Sequence, residues 1–543
     1  MLLLKPELLE VPRLARNALL GLKRILFDRI FERSFWTWRK HPAIIIPTML
    51  GSALQLILQS IITLVIMLLL TGWALSGSLP RVLAVYGNSG LLGVLQDPTF
   101  SLTIVPVIVV MLIALVLVAI VGAGYVYSSE YGIYVEAWSK DSVPVKSVLE
   151  NGSRRWRAMA WTLFLSNLIT WGPAAIGYAL IIASASSINS VAGLIGFFTA
   201  ISVFQPLLFA SLILSVFTVY SYPAVVVDQV SGLRAIRQSF RVASHNLGIT
   251  LTYSLVRIIF QGLLLLVVFF AGTIGLPLTS LITVILSFLL TPILHLTKTM
   301  IYYYSGPSVP EMPFQLSSPI WVDVFRRFPR AAWVKVKTGL SEGFRFVIGP
   351  RNFPFHILSA LAFALGIYMG YYVSVNGVAS FFLSLGYQPG HGNSLLAQLP
   401  VPALPVLGID IFLNNWLVSI ATALSGLGFG APSFITIMFN GFILGVLLAP
   451  QLSPSLTMLL AATLPHGIIE IPSFVLSGSV GIRLGYAAWK ARFRRGLEND
   501  EYLSKTLRLA VYVVVGLAPL FFIAGLIEAD ITPWIMRMFG WTF

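Results

Sequence analysis

The chain has 543 residues, of which 57% are hydrophobic and only 10% charged, with a mean hydropathy of +0.88. Soluble domains carry about 25% charged residues, so a chain this long and this poor in charge reads as a multi-pass membrane protein. Lys and Arg exceed Asp and Glu by 15. In a membrane protein that excess marks cytoplasmic edges, and it argues against a nucleic-acid site. Cysteine is absent, which excludes disulfides and cysteine metal sites.

Residues 1–42 alternate apolar and basic positions, with Leu19, Leu22, Ile25 and Leu26 against Arg16, Lys23, Arg24 and Arg29. This spacing predicts a basic amphipathic cytoplasmic segment, either lying in the membrane interface or capping the helix bundle. The stretch lacks a compact apolar core followed by a small-residue cleavage site, so no signal peptide is expected there. A first span is expected at 43–70 and a second at 101–124. Between them, 71–100 reads as a Gly-, Ser- and Asn-rich loop. A polar segment, 126–158, carries Lys140, Lys146, Arg154, Arg155 and Arg157, and spans three and four follow at 159–184 and 192–220. A second basic segment, 223–246, holds Arg234, Arg237 and Arg241 ahead of spans five and six at 247–271 and 275–302. Arg257 falls inside span five and must snorkel or pair.

Residues 303–352 read as a linker with Pro307, Pro310, Pro313 and Pro319, followed by an amphipathic basic segment. Five further spans are expected at 353–374, 409–428, 432–449, 455–481 and 508–527, with a loop free of Lys and Arg at 375–408 and a basic segment at 483–508. Glu528 to Asp530 reads as a short acidic tail. The expected fold is therefore all-α, a polytopic helical membrane protein with about eleven transmembrane helices in two bundles. Its six-span domain covers 43–302 and its five-span domain 353–543. With the N-terminus in the cytoplasm, almost every basic residue falls in or beside an inner segment, Arg81 and Arg537 excepted, and the C-terminus lies outside. The expected location is the cell membrane.

The first half carries a loose repeat, in which a basic interfacial helix precedes a membrane hairpin: Ser34-Phe35 to His41-Pro42, and Ser239-Phe240 to His245-Asn246. Within it, Tyr222-Pro223-Ala224-Val225-Val226-Val227-Asp228 and Ala235-Ile236-Arg237-Gln238-Ser239-Phe240-Arg241 resemble the membrane domains attached to some glycerophosphodiester phosphodiesterases. The resemblance spans roughly residues 20–300. No phosphodiesterase catalytic domain accompanies it, so it implies no enzymatic activity.

The chemistry concentrates in Leu464-Pro465-His466-Gly467-Ile468-Ile469-Glu470-Ile471-Pro472. An imidazole and a carboxylate four residues apart share one helix face. Ionisable groups inside a bilayer are costly and rare, so this pair reads as a polar site facing other helices. Pro465 and Pro472 bracket it and predict a kink or a break, with 454–463 as a partial segment. Asn414 and Asn415 open or line span eight, and Asn440-Gly441 lies in span nine. Gly445 follows Gly441 by four, a small-residue spacing that lets helices approach closely. The plainest reading is that His466 and Glu470 bond to each other and to Asn415 or Asn440, fixing helix packing. The sharper ones are an ion, proton or ligand site, and catalysis. Zinc needs at least three protein ligands, and neither His-Glu-x-x-His nor paired glutamates occur. No catalytic residue, metal or cofactor is therefore expected.

These asparagines, the His-Gly…Glu-x-Pro element and Gly481-Ile482-Arg483-Leu484-Gly485 resemble the stage II sporulation protein M family, across roughly 350–530. Gly467, Gly481 and Gly485 read as packing or kink positions, and Arg483, at the start of the basic segment 483–508, as the anchor at the inner edge of span ten. The resemblance implies a non-enzymatic membrane scaffold or assembly factor for an envelope-associated complex. The alternative is a transporter or channel-like protein with a polar site built from His466, Glu470, Asn415 and Asn440. Expected partners are the bilayer, anionic headgroups at the basic segments, and other membrane or envelope proteins. The topology is tested with single cysteines and an impermeant thiol reagent. Positions 150, 240, 335 and 490 should be protected in sealed cells and 85, 392 and 540 labelled; external labelling at 490 overturns the arrangement of the second half.

Overall fold

The structure is a computed structural model that describes residues 13–140, 143–185, 190–273, 290–305, 326, 328–384, 404–450, 456–494 and 497–539. The described residues form helices and connecting turns, without a strand. In chain order the helices are α1 (Arg13–Lys40), α2 (Ile45–Leu75), α3 (Leu79–Gln96), α4 (Pro98–Ser139), α5 (Val145–Ala185) and α6 (Val191–Phe217). Next come α7 (Ser221–Val227), α8 (Leu233–His245), α9 (Leu247–Thr273), α10 (Thr291–Tyr304), α11 (Phe328–Ile348) and α12 (Phe353–Val373). The last are α13 (Ala379–Ser384), α14 (Leu404–Ser425), α15 (Ala431–Leu447), α16 (Leu456–Phe493), α17 (Leu497–Leu526) and α18 (Thr532–Met538).

Among the described residues, nine helices are long and apolar enough to cross a membrane. They coincide with nine of the expected spans. The expected span 432–449 is the shorter apolar helix α15, of 17 residues. Most of span six, and the linker after position 305, fall outside the described residues, as does 385–403 of the long loop. Many large apolar side chains on these helices face outward, among them Leu102, Leu117, Phe209, Leu265 and Tyr368. That is the pattern of helices whose solvent is hydrocarbon.

Two expectations are corrected. Segment 71–100 is not a loop: it holds α3, bent at Gly90, whose φ of 64° lies in the left-handed region. Leu79, Val82 and Val94 are buried, and Val82 and Val94 form a core with Phe100 and Ile104. Apolar burial on a helical period outweighs the polar composition that suggested a loop. Nor does the chain break at Pro465, because α16 is one helix with both Pro465 and Pro472 inside it. Each proline removes a single backbone donor, and the remaining ladder, together with packing against neighbouring helices, carries the helix through.

The chain forms two compact units. The first comprises Met1–Thr48, Ile120–Leu264 and Leu286–Ser317. Within it α1 packs on α10: Ile30 and Ser34 are buried, Ser34 Oγ lies 3.4 Å from the Met300 sulfur, and Arg33 donates to the Tyr304 hydroxyl. The basic segment after α6 is docked on the unit's own helices. Helix α8 buries Ala235, Ile236, Ser239, Val242 and Ala243 and turns Arg234, Arg237 and Arg241 away from that face. Ser239 accepts from the Tyr220 amide and donates to the Phe217 carbonyl, at 2.9 and 2.6 Å. Thr162 of α5 accepts from the Gly232 amide at 2.8 Å, and Arg155 donates to the Val225 carbonyl at 3.0 Å.

The second unit comprises Met49–Ala119, Leu265–Ile285 and Ser318–Phe543. Its tightest contact is between α12 and α15. A Cβ on Gly366 or Gly370 would fall on the carbonyls of Met438 or Phe442, and one on Gly441 or Gly445 on those of Phe363 or Ile367. The two backbones touch along this seam, which only glycine permits. Hydroxyls supply the rest of the adhesion. Ser359 donates to the Val475 carbonyl at 2.8 Å, Ser419 and Ser477 share a bond of 2.5 Å, and Ser433 donates to the Thr422 carbonyl at 2.6 Å. Trp416 of α14 donates to the Val514 carbonyl of α17 at 2.8 Å.

Gly441→Leu should separate α12 from α15 and cost about 1–3 kcal/mol or more by overpacking. Gly467→Ala should be neutral or slightly stabilising. Its added Cβ meets only the side chains of Ile471 and Thr463, no closer than 3.4 Å, and alanine is the better helix former. Thermal unfolding of both variants in the same detergent measures the difference.

Candidate functional site

Helix α16 carries His466 and Glu470 one turn apart on one face. Among the described residues no direct hydrogen bond joins them, because each is held by a different element. Glu470 Oε1 accepts from Asn415 Nδ2 of α14 at 3.0 Å. Asn414, exposed, donates to Asn415 Oδ1 at 3.4 Å. His466 Nδ1 lies 3.2 Å from the hydroxyl of Thr532, which is buried at the start of α18.

Between α17 and α18 the chain makes a π-helical turn, Ile527–Ile531. Such turns insert one extra residue into a helix and re-aim the side chains around it. Glu528 sits in this turn, and its carboxylate joins the pair. The ligand atoms of His466, Glu470 and Glu528 all lie within 4.8 Å of one another. Glu470 Oε2 is buried and has no hydrogen-bond partner among the described residues. The arrangement is one imidazole, two carboxylates and an unoccupied acceptor, set in a bundle of apolar helices. Two carboxylates this close in a low dielectric repel strongly, and a cation between them removes the repulsion. Donors that share one zinc ion at 2.0–2.2 Å stand roughly 3.4 Å apart, so small side-chain rotations bring these three to a metal.

The other residues singled out in the sequence fall around this cluster or away from it. Asn440 donates to the Thr436 carbonyl of its own helix at 2.8 Å and makes no bond to the cluster. Gly481 and Gly485 are close-approach positions. A Cβ on Gly481 would meet Ser433 and the Thr422 carbonyl, and one on Gly485 the backbone of Gly430. Arg483 donates to Asn352 Oδ1 at 2.6 Å, with its guanidinium 5.9 Å from the Phe346 ring centroid and 6.0 Å from that of Tyr502. Along the uninterrupted α16, Glu470 stands roughly 20 Å from Arg483. In a hydrocarbon core of about 30 Å that is beyond the midplane if Arg483 marks one edge.

Glu528, expected in a short acidic tail, is instead part of the cluster. A signal was present: Glu528 and Thr532 are spaced four apart, like His466 and Glu470. The sequence reading also leaves out Asp410, one turn before Asn414 on α14, whose Oδ1 is buried without a partner among the described residues.

The fold and this cluster define the class: a multi-pass helical membrane protein with a polar site inside its C-terminal helices. Residues 359–533, which contain all of the cluster, match the family described as Stage II sporulation protein M. The chain is also similar to two uncharacterized proteins of Methanocaldococcus jannaschii. One is 27% identical over 181 residues, covering 33% of this chain and 93% of the relative. The other is 29% identical over 192 residues, covering 34% and 83%. No solved structure matches the chain.

Asn415→Leu removes the only hydrogen bond that Glu470 makes among the described residues and should lower stability by about 1–3 kcal/mol. Asn414→Ala, at an exposed position, should stay within about 0.5 kcal/mol. Thermal melts of the two variants side by side test the difference.

Proposed function

We propose that this is a non-enzymatic integral membrane protein whose C-terminal bundle holds a cation, a divalent metal ion or a proton, between His466, Glu470 and Glu528. We further propose that this occupancy serves transport or an ion-linked change in helix packing. The observation that carries the reading is the buried Glu470 Oε2, unpartnered among the described residues, beside a second carboxylate. A cluster that only fixed helix packing would have each polar atom satisfied. This one has an acceptor to spare and two like charges to balance. Asn415 and Thr532 orient the carboxylate and the imidazole from outside, as hydrogen-bonding neighbours do for metal ligands. The excess of basic residues in 126–158, 223–246 and 483–508 supports a cytoplasmic N-terminus and contacts with anionic headgroups on that side.

A second reading is a scaffold or assembly factor for an envelope-associated complex. The glycine seam between α12 and α15 favours it, because contact along two backbones makes a rigid platform. The resemblance to the stage II sporulation protein M family supports the same role, with other membrane or envelope proteins as partners.

The test measures thermal stability of the purified full chain after chelation and on adding back zinc or manganese. An ion present at one hundred times its dissociation constant should stabilise the wild type by about 2.7 kcal/mol. Glu470→Gln and Glu528→Gln should keep the metal-free stability and lose the gain. An equal gain in the Gln variants overturns the metal site. If no metal stabilises the wild type, the proton form is judged by flux in proteoliposomes: a pH-gradient-driven flux lost in Glu470→Gln supports it, and its absence in the wild type leaves the scaffold.

A further inference from the structure

The first unit contains a second buried group of charges that the cation site does not use. Glu130 of α4 is 5% exposed. Its Oε1 accepts from the Tyr134 hydroxyl at 2.6 Å and lies 2.8 Å from His295 Nδ1 of α10. One turn along α10, Lys298 is also 5% exposed. Its ammonium stands 5.1 Å from the Tyr131 ring centroid and 5.4 Å from that of Tyr222. Ring faces attract a cation but accept no ordinary hydrogen bond, and among the described residues Lys298 has no hydrogen-bond acceptor. Arg257 of α9 is close enough to act electrostatically on both Lys298 and His295.

The inventory is short of acceptors. Arg257 Nε, the Tyr131 hydroxyl and the Tyr253 hydroxyl are buried with no partner among the described residues. Glu130 Oε1 already serves Tyr134 and His295, which leaves Oε2 as the carboxylate oxygen to spare. Asp228 accepts from the Tyr302 hydroxyl. Among the described residues two cations thus face one carboxylate, and four sets of donors are unsatisfied. Buried donors without acceptors and buried charge without a counter-charge are both costly, and such groups inside a membrane protein mark a binding site. Lys supplies a point charge, Arg a planar fork and the tyrosines neutral donors, a set suited to an anion with several oxygens. Glu130 and Tyr127 begin the polar segment 126–158, and Tyr222 borders the basic segment 223–246. That sets Lys298, near the end of span six, toward the membrane edge and the depth of lipid phosphates, with Arg257 reaching it from within span five.

We propose that Lys298, Arg257, Tyr131 and Tyr253 form a binding site for a phosphate-class oxyanion, carried by an anionic lipid headgroup or free in solution. The site lies in the other unit from the cation cluster, and the two proposals stand or fall separately.

The test compares thermal unfolding of the full chain in three settings. These are detergent with added inorganic phosphate, phosphatidylcholine nanodiscs, and the same nanodiscs containing phosphatidylglycerol. A dose-dependent rise in Tm with inorganic phosphate identifies a free anion. A rise only with phosphatidylglycerol identifies a lipid headgroup. In either case Lys298→Met should abolish the rise, and Tyr131→Phe should weaken the apparent affinity roughly tenfold or more. Because Lys298→Met removes a buried charge, it should be at least as stable as the wild type without the anion. If that variant fails to fold, Tyr131→Phe and Arg257→Gln carry the test alone. A wild type that gains nothing from either source overturns the proposal. So does a gain of equal size in wild type and variants, which would mark a general effect of anions on the surface.

Discussion

Inside a bilayer a polar group has no water to turn to, and it must find its partner in the protein. Much of the second unit follows from this constraint. Its serines and threonines bond to carbonyls and hydroxyls of neighbouring helices, Trp416 reaches across to α17, and Asn352 receives Arg483. Among the described residues, the buried polar atoms left without a partner become informative. Glu470 Oε2 is one, and it stands where the side chains of His466, Glu470 and Glu528 converge.

Such a convergence needs a rigid frame. Backbone contact between α12 and α15 supplies part of it, and the passage of Gly481 and Gly485 beside Ser433 and Gly430 supplies more. The Gly481 and Gly485 contacts hold the C-terminal half of α16, while Asn415 and Thr532 hold Glu470 and His466. Glu528 comes from an irregular element. The π-helical turn Ile527–Ile531 sets Glu528 and Thr532 against α16. Regular helices thus hold the pair, and a local irregularity completes the site.

The first unit meets the same constraint differently. Its tyrosines surround Lys298 and Glu130 with ring faces and hydroxyls, and its basic helix α8 buries a small, mostly apolar face while its arginines remain outside. Among the described residues the His466–Glu470–Glu528 cluster leaves an acceptor without a partner, and the group around Lys298 leaves donors without one. A surplus of either sign is hard to sustain in hydrocarbon without an occupant of the opposite kind.

Much of this was legible in the residues themselves. Long apolar runs declare membrane helices because the bilayer has a set thickness, and nine of the expected spans coincide with long apolar helices. The i, i+4 spacing put His466 and Glu470 on one face, since helical pitch is a local property. Asn415 was a candidate partner on grounds of polarity alone. What only the tertiary structure decided is which faces meet. Nothing in the spacing distinguishes Asn415, which reaches Glu470, from Asn440, which turns back on its own helix. Glu528 read as a tail because charge near a chain end normally faces solvent; its place in the cluster depends on the packing of α16 against the turn before α18. The grouping of Met49–Ala119 with the C-terminal helices has the same origin. Periodicity belongs to one helix at a time, whereas partnership depends on the relative rotation and depth of several.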